Sequence, residues 1–67
     1  MNQAAEIMYS SKNANDAIER AEAAKAGVTH DWDHSFYTFE DGSVLVVSGS
    51  QVNAHADMAL PKAGGHA

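Results

Sequence analysis

Five consecutive residues, His30-Asp31-Trp32-Asp33-His34, bring together two imidazoles, two carboxylates and an indole. Neutral imidazole and carboxylate side chains suit zinc, nickel or copper. On an extended strand, however, His30, Trp32 and His34 point one way and Asp31 and Asp33 the other. The possible ligands then divide between two faces, and only a turn gathers them. No second ligand pair stands beside them, and His55, Asp57 and His66 join only if the end of the chain folds back. A metal-binding subunit or metal-dependent enzyme built on His30 and His34 is therefore the alternative reading. The preferred one has no metal and no cofactor, and makes Trp32 an aromatic anchor in a solvated acidic connector.

Other catalytic patterns are missing from the sequence. It has no Gly-x-Ser-x-Gly elbow and no glycine-rich loop of the kind that cradles phosphate. A chain of 67 residues also leaves little room for a concave, desolvated pocket. The expectation is a non-enzymatic protein.

What the residue types do suit is a protein contact. Trp32 lies in sequence between the carboxylates Asp31 and Asp33, and Phe36 and Tyr37 between Asp33 and the pair Glu40 and Asp41. Aromatic anchors are typical of protein interfaces, and flanking carboxylates steer cationic surfaces. These seven residues form the candidate binding set. Asp16, Glu19 and Glu22 recur every three residues and offer a second acidic stripe, although such a stripe is usually the solvated face of an amphipathic helix.

Charge points the same way. Four Lys and Arg stand against nine Asp and Glu, a formal net charge of −5. A nucleic-acid backbone needs clustered cations, so direct nucleic-acid binding is not expected. A basic surface on another protein fits better, including a nucleic-acid-binding groove. With no cysteine, disulfides and thiolate metal sites are excluded. The N-terminus lacks a signal-peptide pattern and no segment reaches the length of a membrane span. The expected setting is cytoplasmic.

The elements that must position these residues are few. Ser35-Phe-Tyr-Thr-Phe-Glu-Asp-Gly-Ser-Val-Leu-Val-Val-Ser48 reads as a β-hairpin turning at Asp41-Gly42. A two-residue Asp41-Gly42 loop pairs Phe39 with Val44 and Tyr37 with Val46, so that Phe36, Thr38, Leu45 and Val47 share a face. A three-residue Glu40-Asp41-Gly42 loop with a bulge at Gly42 instead groups Tyr37, Phe39, Leu45 and Val47 against Phe36, Val44 and Val46. In either register both faces carry apolar side chains, which implies cover on two sides.

Residues Asn15 to Ala26 predict a helix, with Asn13 or Asn15 as N-cap and Gly27 as the C′ stop. Its inward face, Ala14, Ala17, Ile18, Ala21 and Ala24, is mostly small and buries little area. Residues 5–10 read slightly better as a strand than as a helical turn with Ala4, Ile7 and Met8 on one face. Val28 to His34 is expected as a connector. Gly49-Ser50 bends the chain, and Gln51–His55 either continues the strand or forms a short third one. The fold expected is one α+β domain over residues 1–58, β-α-β-β or α-α-β-β, with one helix on a small antiparallel sheet and a flexible tail over 59–67. The doubly apolar hairpin and the alanine-faced helix point to a homodimer or a tight heterocomplex.

At the level of class alone, the chain resembles the small, acidic, cysteine-free α+β inhibitors made by bacteriophages, anti-CRISPR proteins among them. The likeness lies in size, charge and economy of fold, and no residue is carried across. It implies an inhibitor of a larger basic or nucleic-acid-binding complex. A structural subunit of a larger complex is the remaining alternative.

Overall fold

The computed structural model describes residues 1–58. Two helices, α1 (Gln3–Ser10) and α2 (Ala14–Ala24), precede four strands: β1 (Gly27–Asp31), β2 (His34–Thr38), β3 (Val44–Ser48) and β4 (Gln51–His55). The strands form one antiparallel meander in the order β1-β2-β3-β4. The fold is α+β, as expected, and its order is α-α-β-β-β-β: two strands more than the α-α-β-β alternative, or one helix and one strand more than β-α-β-β. The segment 59–67, expected as a tail, lies outside the described residues.

The central hairpin takes the three-residue loop. Tyr37 pairs with Leu45 and Phe36 with Val46. The Gly42 N–H donates to the Phe39 carbonyl and the Phe39 N–H to Ser43, both at 3.0 Å. Gly42 has φ 88°, the left-handed conformation that a bulge of this kind needs. Tyr37, Phe39, Leu45 and Val47 therefore face the helices. Together with Ala4, Ile7, Ala17 and Ala21 they form the core.

Residues 3–10 are helical, not extended, which corrects the strand reading. Ala4 and Ile7 are buried on one face, with Met8 packed beside them. The first-turn amides all find acceptors. Ala5 N–H donates to Asn2 Oδ1 at 2.7 Å, Gln3 N–H to Asp41 Oδ2 at 2.7 Å and Ala4 N–H to Ser43 Oγ at 3.0 Å. Two of these three acceptors sit in the distant hairpin turn, so no local pattern could announce them. Unmet helix amides are costly when buried, and here the sheet supplies their partners.

Helix α2 starts where Asn13 caps it, its side chain accepting from Asp16 N–H. It ends at Ala24, two residues earlier than expected. Lys25 turns extended, and Gly27 opens β1 instead of serving as a C′ cap. Ala24 is consequently exposed, while Ala17 and Ala21 are buried and Ala14 and Ile18 half-buried. The supposed connector after the helix is an edge strand, paired along its whole length with β2. Residues 51–55 form a separate strand, reached through a tight turn in which Gly49 has φ 60°.

Candidate functional site: the Trp32 turn

Asp31 pairs with His34, leaving Trp32-Asp33 as a two-residue hairpin loop between β1 and β2. The primed turns that join strands so tightly need positive φ at their first central residue, a place normally filled by Gly or Asn. Here Trp32 holds it, with φ 56°, and it is the single non-glycine residue with positive φ among the described residues. That conformation costs an L-residue with a bulky side chain about 1–2 kcal/mol. Nothing in the packing compensates, because the indole is 96 % exposed. The indole is solvated, and it stands on a tight turn and not on a loose connector.

The surroundings of the indole are acidic. Asp33 is exposed, and its Oδ1 lies 3.0 Å from Nδ1 of His34, an ion pair when the imidazole is protonated. Asp31 is half-buried at the end of β1. The His34 ring in turn stacks on Phe36, centroids 6.2 Å apart and planes 21° from parallel. The turn thus rests on a short row of side chains along one face of β2.

The turn does not gather the histidines. His30 pairs with Ser35, and His34 with Asp31, so alternation sends the two imidazoles to opposite faces of the sheet. His30 Nδ1 meets Ser35 Oγ at 3.0 Å. Among the described residues, no three His, Asp or Glu side chains come together as a metal-binding set.

The seven candidate binding residues do not form one patch. Asp31, Trp32 and Asp33 sit at one end of β2, while Glu40 and Asp41 sit in the turn at its other end. Seven positions of extended chain separate the two turns, on the order of 20 Å. Tyr37 is buried under the helices, its hydroxyl donating to Glu22 Oε2 at 3.0 Å. Burial and the Glu22 carboxylate both push the phenol above its ordinary value of 10.0. Phe36 lies on the opposite face and is only 9 % exposed. Asp41 is occupied: Oδ1 accepts from Ser43 N–H at 2.9 Å and from the Ser43 hydroxyl at 2.5 Å, and Oδ2 from Gln3 N–H. These bonds hold its carboxyl below the ordinary 3.8. Asp41 is part of the helix cap, and Ser43, fully buried, is the partner that sequence reasoning missed.

The acidic helix stripe is also engaged in part. Asp16 Oδ2 accepts from Lys12 N–H at 3.0 Å and pairs with Arg20 Nε at 3.2 Å. Glu22 takes Lys25 at 2.7 Å as well as the Tyr37 hydroxyl. Among the candidate binding residues, that leaves the Trp32 turn as the place where an unburied aromatic and acidic groups coincide. The same end of the molecule holds the Gly49-Ser50 turn and the start of α2. Asn13, Ala14, Asn15, Gly49 and Ser50 line an open groove there of ≈ 450 Å³. Its lining is of small and amide side chains, without a titratable group. No helix among the described residues is long and apolar enough to cross a membrane.

No protein-family model, curated protein or solved structure matches this chain.

Proposed function

We propose that this chain is a non-enzymatic protein-binding module that docks on a basic surface of its partner through the Trp32 turn, and that it acts as an inhibitor of a larger basic or nucleic-acid-binding complex. The observation that carries the reading is Trp32 itself, 96 % exposed on a left-handed backbone. A residue that is strained and contributes no burial works against folding. Strain of this sort is characteristic of ligand clamps and binding loops. Tryptophan is also the side chain most enriched at the energetic centres of protein interfaces. The −5 charge of the chain supports a basic surface on the partner.

A covering second copy has weaker support. Phe36 and Val44, which face away from the helices, are only 9 % and 3 % exposed in the single chain. The large exposed apolar side chains among the described residues are Met1, Tyr9 and Trp32, none of them on that sheet face. Little apolar area remains there to drive dimerisation.

The test is photo-crosslinking in extract of the source cells, with benzoylphenylalanine at residue 32 in one variant and at residue 40 in another. An adduct expected from position 32 should be competed by unlabelled wild type and not by Trp32→Asn. The partner so captured should lose affinity for nucleic acid when the wild-type chain is added. Adducts formed only from position 40, or competed equally by Trp32→Asn, would overturn this assignment.

A further inference from the structure

We infer that the Trp32 turn is a receptor for an arginine guanidinium, presented by a basic segment of the partner. This rests on the reading of Trp32 as the docking point and names the group it takes. The face of an indole carries negative charge density, and Trp is the best of the aromatic rings at attracting a cation laid over it. Here that face stands in water at 96 % exposure, with Asp31 preceding it and Asp33 following it in a two-residue loop. A planar, delocalised cation suits both features at once. Guanidinium stacks flat on an aromatic ring while its edge N–H groups donate to carboxylates. A lysine ammonium is a compact, strongly hydrated point charge and stacks less well. A phosphate or an anionic lipid surface would meet the two carboxylates and be repelled.

Among the described residues, no lysine or arginine side chain pairs with Asp31 or Asp33. Arg20 is the single arginine of the chain, and it is held on α2 by Asp16 and by the Ser10 hydroxyl. Lys25 is held by Glu22. The contact the tip does make is His34 to Asp33 at 3.0 Å. This places an imidazole against one carboxylate and leaves the outer face of the indole open to water.

Because Trp32 is the only tryptophan, fluorescence excited at the red edge of the indole band, beyond the absorption of Tyr9 and Tyr37, reports on this turn alone. The probes are end-blocked hexa-arginine, hexa-lysine and hexa-glutamate peptides, titrated into the wild-type chain. Hexa-arginine should change the emission saturably, with an apparent affinity roughly three-fold above that of hexa-lysine. Hexa-glutamate should leave it unchanged. The double variant Asp31→Asn/Asp33→Asn should bind hexa-arginine about five-fold more weakly. The charge-matched control Glu6→Gln/Glu19→Gln, two exposed helix positions, should bind as wild type.

Equal response to hexa-lysine would reduce the site to plain charge attraction and overturn the guanidinium assignment. So would equal weakening by the control variant, or a flat titration. Competed crosslinks from residue 32 alongside a flat titration would remove guanidinium recognition while leaving docking through the turn intact. If neither appears, both inferences fail. A circular dichroism spectrum matching wild type qualifies each variant for comparison.

Discussion

Two residues show opposite relations between stability and position. Ser43 is fully buried, accepts from Ala4 N–H at 3.0 Å and donates to Asp41. Ser43→Ala strands that amide in the interior. The expected loss is about 1–3 kcal/mol in urea denaturation, the usual cost of an unmet buried donor. Trp32 behaves in reverse. Trp32→Asn places a residue tolerant of the left-handed region at φ 56° and removes no buried contact. A gain of up to about 1 kcal/mol is expected from relieved backbone strain. Equal or lower stability of that variant would mean that the backbone at 32 carries no strain.

At the level of elements, what was legible in the sequence depended on whether the deciding contact was local. The β2–β3 hairpin could be read because Asp41-Gly42 and the flanking apolar runs lie side by side, and both registers could be enumerated. The observed register needs glycine at 42, where φ is 88° and a Cβ would meet nothing within 4 Å. Gly42→Ala should thus cost about 1 kcal/mol through the backbone alone, measurable as a lower unfolding midpoint. The start of α2 was legible because Asn13 caps it locally. Helix α1 was legible only as the second choice, from Ala4, Ile7 and Met8 on one face, and not as the first, because its amides are answered by Asp41 and Ser43, 38 and 39 positions away. The β1–β2 turn was not legible either, since Trp-Asp is no turn signal and only the paired strands impose the geometry. For the site, exposure at Trp32 was anticipated. The separation of Asp41, Glu40 and Tyr37 from it was not, because nothing in their spacing distinguishes a carboxylate that caps a helix from one that meets a partner.

Across the whole molecule, the titrating groups define a pH range for the fold. Bonds from Lys12 N–H and Arg20 hold Asp16 below its ordinary 3.8, those from Lys25 and Tyr37 hold Glu22 below 4.5, and those from Ser43 and Gln3 hold Asp41 below 3.8. A depressed carboxyl stabilises fully above its unfolded value and ceases to do so as pH falls through its folded one. Tyr37 is raised above 10.0, so its contribution is complete below that value and is lost as pH rises through the folded one. Thermal unfolding midpoints should be nearly level between about pH 5 and 9 and fall on both sides. The acid limb should lessen in Asp41→Asn, whose starting stability is lower. An acid limb identical to wild type would mean that Asp41 does not link folding to protons.

The cap that joins the first turn of α1 to the β2–β3 loop also divides the helix amides into two reporters. Ser11 N–H donates to the Ile7 carbonyl at 3.1 Å, so its exchange with solvent deuterium follows the fraying of the helix. Gln3 and Ala4 donate to side chains of the hairpin instead; the Gln3 bond is exposed and opens whenever Asp41 turns away, whereas the Ala4 bond is buried and opens when α1 parts from the sheet. Exchange at Ala4 should slow together with the amides of β3 and depend on denaturant as steeply as they do. In Ser43→Ala, the Ala4 amide should exchange far faster while Ser11 changes little. The buried Ala4 amide thus serves as a latch whose release can be timed directly.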